Sequence, residues 1–381
     1  MSKVFLGVLL FILLAVVAAA QPYYFRHYQV ENGLSNNTVG CMLQDHKGFM
    51  WFGTKDGLNR FDGYAFKVFQ NQSGNPNSIG SNFIISLYED KNRQLWVGTD
   101  HGLFRYNAEK EEFFLQPQVP AELIRGIVLD DKERLWLIIR NRLGWLDLRS
   151  KKFSFYRQFR GEEVTSVSLS AGGRIWVTTA KGVIHSLDPS SSATETFNVF
   201  DSHTSSTTRG IQKVYDTGKG FLLVGTASHG LYVFDTSTKR FLKKDLPEEG
   251  SGQVFIRDFA RFSEDEYWIA SESGIFVYNF RNNKITHLKK HHGDPYSLSD
   301  NAIYALWPDR EGGMWVGSYF GGINYYPKQL TCFQKYFPQS AGNAINGNAI
   351  HEICKDGNGN LWIGTEDAGL NRLDPATGIF T

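Results

Sequence analysis

Cysteine is scarce in this sequence: Cys41, Cys332 and Cys354 are three among 381 residues. An odd number with no Cys-x-x-Cys pair supplies neither a disulfide framework nor the ligand spacing of a zinc or redox site. All three are expected as small buried residues. An excess of charge of one sign is also missing. Forty basic and 39 acidic residues are interspersed and leave a formal net charge of +1, which excludes the basic footprint of a nucleic-acid or anionic-lipid binder. Most of the ten histidines lie in different units, and no clustered carboxylate motif occurs. A glycine-rich nucleotide motif and a phospho-acceptor histidine box are absent as well, so kinase chemistry is not expected of these residues. Catalysis would need a positioned acid/base pair, a metal cluster or a cofactor platform, and no cofactor or metal is expected.

Long apolar runs are absent with one exception. Lys3 is followed by an unbroken apolar stretch from Val4 to Ala20, and Ala18-Ala19-Ala20 before Gln21 has the small-x-small form of a signal-peptidase site. Residues 1–20 are therefore expected to be a signal peptide cleaved after Ala20. The alternative is an uncleaved anchor, for which the run is just short of the ~20 residues that a spanning helix needs. Either reading puts the remainder outside the cytoplasm.

What the sequence has in abundance is aromatic residues, 14% of the chain, and a repeat centred on tryptophan. MWFGTKDGLNRFD from Met50, LWVGTDHGLFRY from Leu95, LWLIIRNRLGWLD from Leu135 and IWVTTAKGVIHSLD from Ile175 are four copies. LLVGTASHGLYVFD from Leu222, YWIASESGIFVY from Tyr267, MWVGSYFGGINYY from Met314 and LWIGTEDAGLNRLD from Leu361 are four more. The anchors Trp51, Trp96, Trp136, Trp176, Leu223, Trp268, Trp315 and Trp362 are 40 to 47 residues apart. A period of ~40–50 residues with only strand-type pattern inside it is the signature of propeller blades. Twelve residues before each anchor stands a β-branched residue: Val39, Ile84, Ile124, Val164, Ile211, Ile256, Ile303 or Ile350. That suits an innermost strand packed on both faces. A D-x-x-G turn follows in several units, then the anchor strand, a tight loop ending in Gly, a third strand, and a Phe-x-x-aromatic fourth strand such as Phe66 to Phe69 or Phe197 to Phe200.

Phe25 to Tyr28 has the fourth-strand form but precedes the first unit. Propellers close by letting one terminus complete the last blade, which removes unpaired sheet edges. The predicted fold is all-β: a seven-bladed β-propeller of four-stranded antiparallel blades over residues 21–329, closed by that strand. Residues 330–381 are then the truncated start of a second propeller, its first blade, with Phe333 to Phe337 as a second orphan strand. A single eight-bladed ring is the alternative.

The segments GLSNN (Gly33 to Asn37), QDHKGFMWFGTKDGLNRFDGY (Gln44 to Tyr64) and KDGNGNLWIGTEDAGLNRLD (Lys355 to Asp374) closely resemble two-component regulator propeller repeats, the periplasmic sensor region of hybrid two-component systems. Units three and six depart from the pattern, with Ile138-Ile139 and Ala270-Ser271 in place of Gly-Thr, which weakens a turn signal in those blades. The resemblance implies a periplasmic sensor with two consecutive propellers and further downstream domains, including a histidine kinase. It also implies an oligosaccharide ligand, and a homodimer that relays binding across the membrane.

Ligand residues are expected on the face where loops enter the first strand and join the second to the third. Asn37, Asn82, Asn301 and Asn348 recur fourteen residues before the anchors, with Arg209 in unit five, and a repeated Asn at such a junction reads as a backbone cap. Positions that break the repeat, Arg209 among them, are better recognition candidates. Eleven residues before the anchors these are Arg125, Arg257 and Tyr304, and in the later loops Arg140, His229 and Tyr319 with Phe320. Arginine beside an exposed aromatic suits a sugar or a sugar acid, and equally a protein interface. A protein-binding propeller and a propeller lyase or glycosidase are the rival functions.

Overall fold

The computed structural model describes residues 23–381 except 192, 202–203, 248–252, 329–334 and 339–342. The expected signal peptide, Cys332 and Phe333 lie outside the described residues. Among the described residues there are eight four-stranded antiparallel sheets, seven of them with their strands in chain order. Their inner strands are Val39–Gln44, Ile84–Glu89, Ile124–Leu129, Val164–Leu169, Ile211–Asp216, Ile256–Arg261, Ile303–Pro308 and Ile350–Lys355. The first seven touch in succession, and Ile303–Pro308 packs on Val39–Gln44, so seven sheets, here blades one to seven, form a closed ring. Blade seven takes its outer strand from the chain's other end: Arg26–Tyr28 pairs with Ile323–Tyr326. Phe25 beside it is 3% exposed, with its ring against Trp268 and Tyr326. No helix among the described residues is long and apolar enough to cross a membrane.

The recurring Asp and Trp form one device. In blade one, Asp45 Oδ1 accepts the backbone N–H groups of Lys47 and Phe49, closing the turn, while Oδ2 accepts the Trp51 indole N–H at 2.8 Å. The same indole bond joins Asp90 to Trp96, Asp130 to Trp136, Asp309 to Trp315 and Asp356 to Trp362. One side chain thus satisfies both the turn and a buried donor that would otherwise cost stability.

The glycine of the Gly-Thr pair is not a turn residue, contrary to expectation. It lies within the second strand, where the next blade comes closest. A Cβ on Gly53 would stand 2.7 Å from Ile84 Cγ2, one on Gly98 2.9 Å from Ile124 Cβ, and one on Gly317 2.9 Å from Val39 Cγ1. In blade three the sizes are exchanged: Ile138 fills this place, and Gly126 on the inner strand makes room for it. The hydroxyl that follows closes the next hairpin. Thr54, Thr99, Thr226, Ser271 and Ser318 donate to the carbonyls of Gly57, Gly102, Gly230, Gly274 and Gly322. Replacing Thr by Ser in blade six therefore keeps the loop.

Two smaller expectations are corrected. The fourth strand of blade four runs over Thr194–Asn198 rather than Phe197 to Phe200. Cys354 is exposed on the inner strand of the eighth sheet. Cys41 is half-buried, and burial pushes its thiol up to about 12. In the eighth sheet, whose small core is Ile345, Ile363 and Leu373, Ile350 and Ile353 are exposed where their counterparts Ile303 and Leu306 of blade seven are buried. Residues 335–338 form no strand.

Candidate functional site

Every inner strand carries a β-bulge at one place. In blade one Val39 pairs with Thr54 and Cys41 with Gly53, leaving Gly40 unpaired. The same shift isolates Ile85, Arg125, Thr165, Gln212, Arg257, Tyr304 and, in the eighth sheet, His351. The bulged residue is the one eleven positions before each anchor. A bulge re-aims a side chain out of the ladder, here at the strand end that pairs with the mouth of the second-to-third hairpin. The scaffold is constant, and the residue it presents varies from blade to blade.

Blades six, seven and one bring seven side chains together. The Arg257 guanidinium lies 4.1 Å from the Phe255 ring centroid and 4.3 Å from that of Tyr304, a sandwich favourable to a cation. Its Nε donates to Glu272 Oε1 at 2.7 Å and its Nη2 to the Tyr304 hydroxyl at 3.3 Å. Burial pushes the Tyr304 phenol up. Tyr304 and Tyr319 meet with ring centroids 5.1 Å apart, and Tyr319 meets Phe320 edge-on at 4.5 Å. Lys55, from the hairpin of blade one, donates to the Tyr319 hydroxyl at 2.6 Å and lies 4.1 Å from its ring centroid.

This cluster rests on a fixed backbone. Thr38 Oγ1 donates to the Tyr319 carbonyl at 2.6 Å, Tyr319 N–H to the Ala302 carbonyl, and Phe320 N–H to Asp300 Oδ2 at 2.9 Å. Phe320 is nonetheless 73% exposed. The repeated asparagines serve as caps: Asn37, Asn82 and Asn301 accept from the N–H groups of Val30, Asn71 and Lys290. Asn59 and Asn324, buried in third strands, hold the N–H groups of Ser35 and Ser299 in the same loops.

The other candidates stand elsewhere around the ring. Arg140 pairs with Glu122 at 2.8 Å, and Arg125, on the bulge of the same blade three, is exposed. In blade five Arg209 Nε donates to the Thr204 carbonyl at 2.8 Å, and His229 Nε2 lies 3.0 Å from Thr208 Oγ1 with its ring on Phe200. Burial, then Lys243, pushes the His229 imidazole down. Lys55, Phe255 and Glu272 were not among the sequence candidates. Neighbouring inner strands are also tied by Lys213 to Asp258 at 3.2 Å, whose Oδ2 accepts the Leu306 N–H.

A closed ring of four-stranded sheets with a variable, bulge-presented face defines a β-propeller, a fold used for binding as well as catalysis. Residues 33–56, 78–101 and 344–367 match the two-component regulator propeller family. A 75-residue stretch is 40% identical to Histidine kinase P4 of Formosa agariphila, covering 19% of this chain and 6% of the kinase. The fold is similar to the extracellular domain of a B. thetaiotaomicron hybrid two-component system, with a TM-score of 0.75 and 25% identity over 94% of this chain and 49% of that one. A second such domain from the same organism superposes with a TM-score of 0.70 at 21% identity over 94% of this chain and 53% of that one, which speaks for the fold alone. The chain thus spans about half the length of these solved domains.

Proposed function

We propose that this chain is the ligand-sensing propeller of a hybrid two-component system on the outer side of the membrane, in the periplasm, and that it recognises an oligosaccharide. The observation that carries the reading is the cluster of Phe255, Arg257, Tyr304, Tyr319, Phe320 and Lys55 presented by the bulges and hairpins of three successive blades. Aromatic faces stack on pyranose rings, and guanidinium, ammonium and phenol groups hydrogen-bond their hydroxyls. Arg257 is neutralised by Glu272 and held in place by two rings, so it offers direction rather than net charge.

Residues 21–329 are then the sensor ring and residues 330–381 the first blade of a second propeller, whose further blades would cover Ile350 and Ile353. Binding is relayed through downstream domains of a homodimeric parent to a histidine kinase. The signal peptide would deliver the whole to the periplasm. The test is a thermal-shift screen of residues 21–381 against plant, host and algal oligosaccharides, since a ligand stabilises the state it binds. A saturable rise with one glycan class supports the sensor, and silence across the panel moves the assignment to a protein-binding propeller.

A further inference from the structure

Several of the cations on this face are already neutralised. Arg257 pairs with Glu272 and Arg140 with Glu122, while Lys213, beside the bulge residue Gln212, pairs with Asp258. Two remain. Arg125 projects from the bulge of blade three, is exposed, and has no carboxylate within ion-pairing distance among the described residues. Lys55 has only the Tyr319 hydroxyl and ring for partners, because the adjacent Asp56 carboxylate accepts the Asn82 side-chain amide instead. A balanced chain, 40 basic residues against 39 acidic, has carboxylates enough to neutralise both, yet both stand exposed on the bulge-and-hairpin face.

We infer that the glycan sensed here is anionic, its carboxylate or sulfate groups taken by Arg125 and Lys55 while its rings lie on Tyr319 and Phe320. This rests on the oligosaccharide reading above and narrows it. Guanidinium forks match carboxylate and sulfate oxygens in pairs, and charge-assisted bonds are about twice as strong as neutral ones. A neutral sugar would leave both cations without an anion. Blades one and three are not neighbours in the ring, so the ligand must be longer than a monosaccharide to meet both.

The experiment is isothermal titration of the protein at low salt with three probes of similar length: an oligogalacturonide, a sulfated galactan oligosaccharide and a neutral galactan oligosaccharide. Each is repeated with Arg125→Gln and Lys55→Gln. Both side chains are exposed, so the variants should melt with the parent. The expected result is binding of one or both acidic probes and none of the neutral one, with each variant weakening it about tenfold or more; which acidic probe binds distinguishes carboxylate from sulfate. Equal binding of the neutral probe overturns the inference and leaves the oligosaccharide reading standing. Acidic binding unchanged in both variants overturns the assignment to these residues. Silence with all three probes, while a different neutral glycan binds in the thermal screen, overturns the anionic preference; silence with every glycan overturns the reading itself.

Discussion

Ser170 and Trp176 stand six residues apart across a turn, as Asp130 and Trp136 do one blade earlier, yet no hydrogen bond joins them. Asp130 accepts the Trp136 indole N–H at 2.9 Å, whereas the Trp176 N–H is buried without an acceptor. The serine still closes the turn, its Oγ accepting the Arg174 N–H at 3.0 Å, but it has no second oxygen to reach the ring. An orphaned buried donor costs about 1–3 kcal/mol. Ser170→Asp should therefore stabilise the ring by roughly 1 kcal/mol, read as a higher urea midpoint at unchanged slope. A lower midpoint would show that the carboxylate cannot adopt the position it holds in blade three.

Gly98 is where blade two meets blade three. A Cβ there would stand 2.2 Å from Ser86 Oγ and 2.9 Å from Ile124 Cβ, and the branched carbon cannot swing aside. Overpacking of this kind costs about 1–3 kcal/mol. Gly98→Ala should lower stability by that amount in chemical denaturation. Adding Ser86→Gly should restore only part of it, because Ile124 remains; full restoration would mean that Ile124 is not the obstacle.

These two positions show what was legible in the sequence and what was not. The period of the tryptophans, the β-branched residue twelve before each, and the strand that precedes the first unit all encode sheet-forming pattern directly, and the ring follows from them. The asparagine caps were legible because a short side chain at a loop-strand junction has few other uses. The role of Gly98 was misread because a strand glycine and a turn glycine look alike without the neighbouring blade. The bulges went unseen, although they left a trace: Val39 and Met42, Ile84 and Leu87, and Ile303 and Leu306 are apolar pairs three apart, a spacing that plain alternation would put on opposite faces. Lys55 was passed over because Lys-Asp-Gly reads as an ordinary polar hairpin, and only blade seven's closure onto blade one brings it to Tyr319.

Phe25 is the hydrophobic foot of that closure. It is 3% exposed, lies against Trp268 of blade six and Tyr326 of blade seven, and its N–H donates to the Tyr296 carbonyl at 2.8 Å. Removing a buried phenyl group costs about 3–5 kcal/mol. Phe25→Ala should destabilise by that amount, with hydrogen exchange speeding first in Arg26–Tyr28 and Ile323–Tyr326. Loss of protection spread evenly over all blades would show that the ring opens as one unit and not at this seam.

Phe320 tests the site without touching the core. Its backbone is pinned by Asp300 and its ring is 73% exposed, so Phe320→Ala should change stability by no more than about 0.5 kcal/mol. An aromatic contact contributes about 0.5–1.5 kcal/mol beyond area burial. Affinity for whichever glycan raises the melting temperature should therefore fall about threefold to tenfold. Tyr319→Phe separates the two uses of its neighbour: it keeps the ring but removes the hydroxyl that receives the Lys55 bond. If Lys55 is held in place for an anion, Tyr319→Phe should weaken an acidic glycan more than Phe320→Ala does and should flatten the salt dependence of its binding. Equal losses in both variants would mean that the hydroxyl matters only as part of the stacking surface.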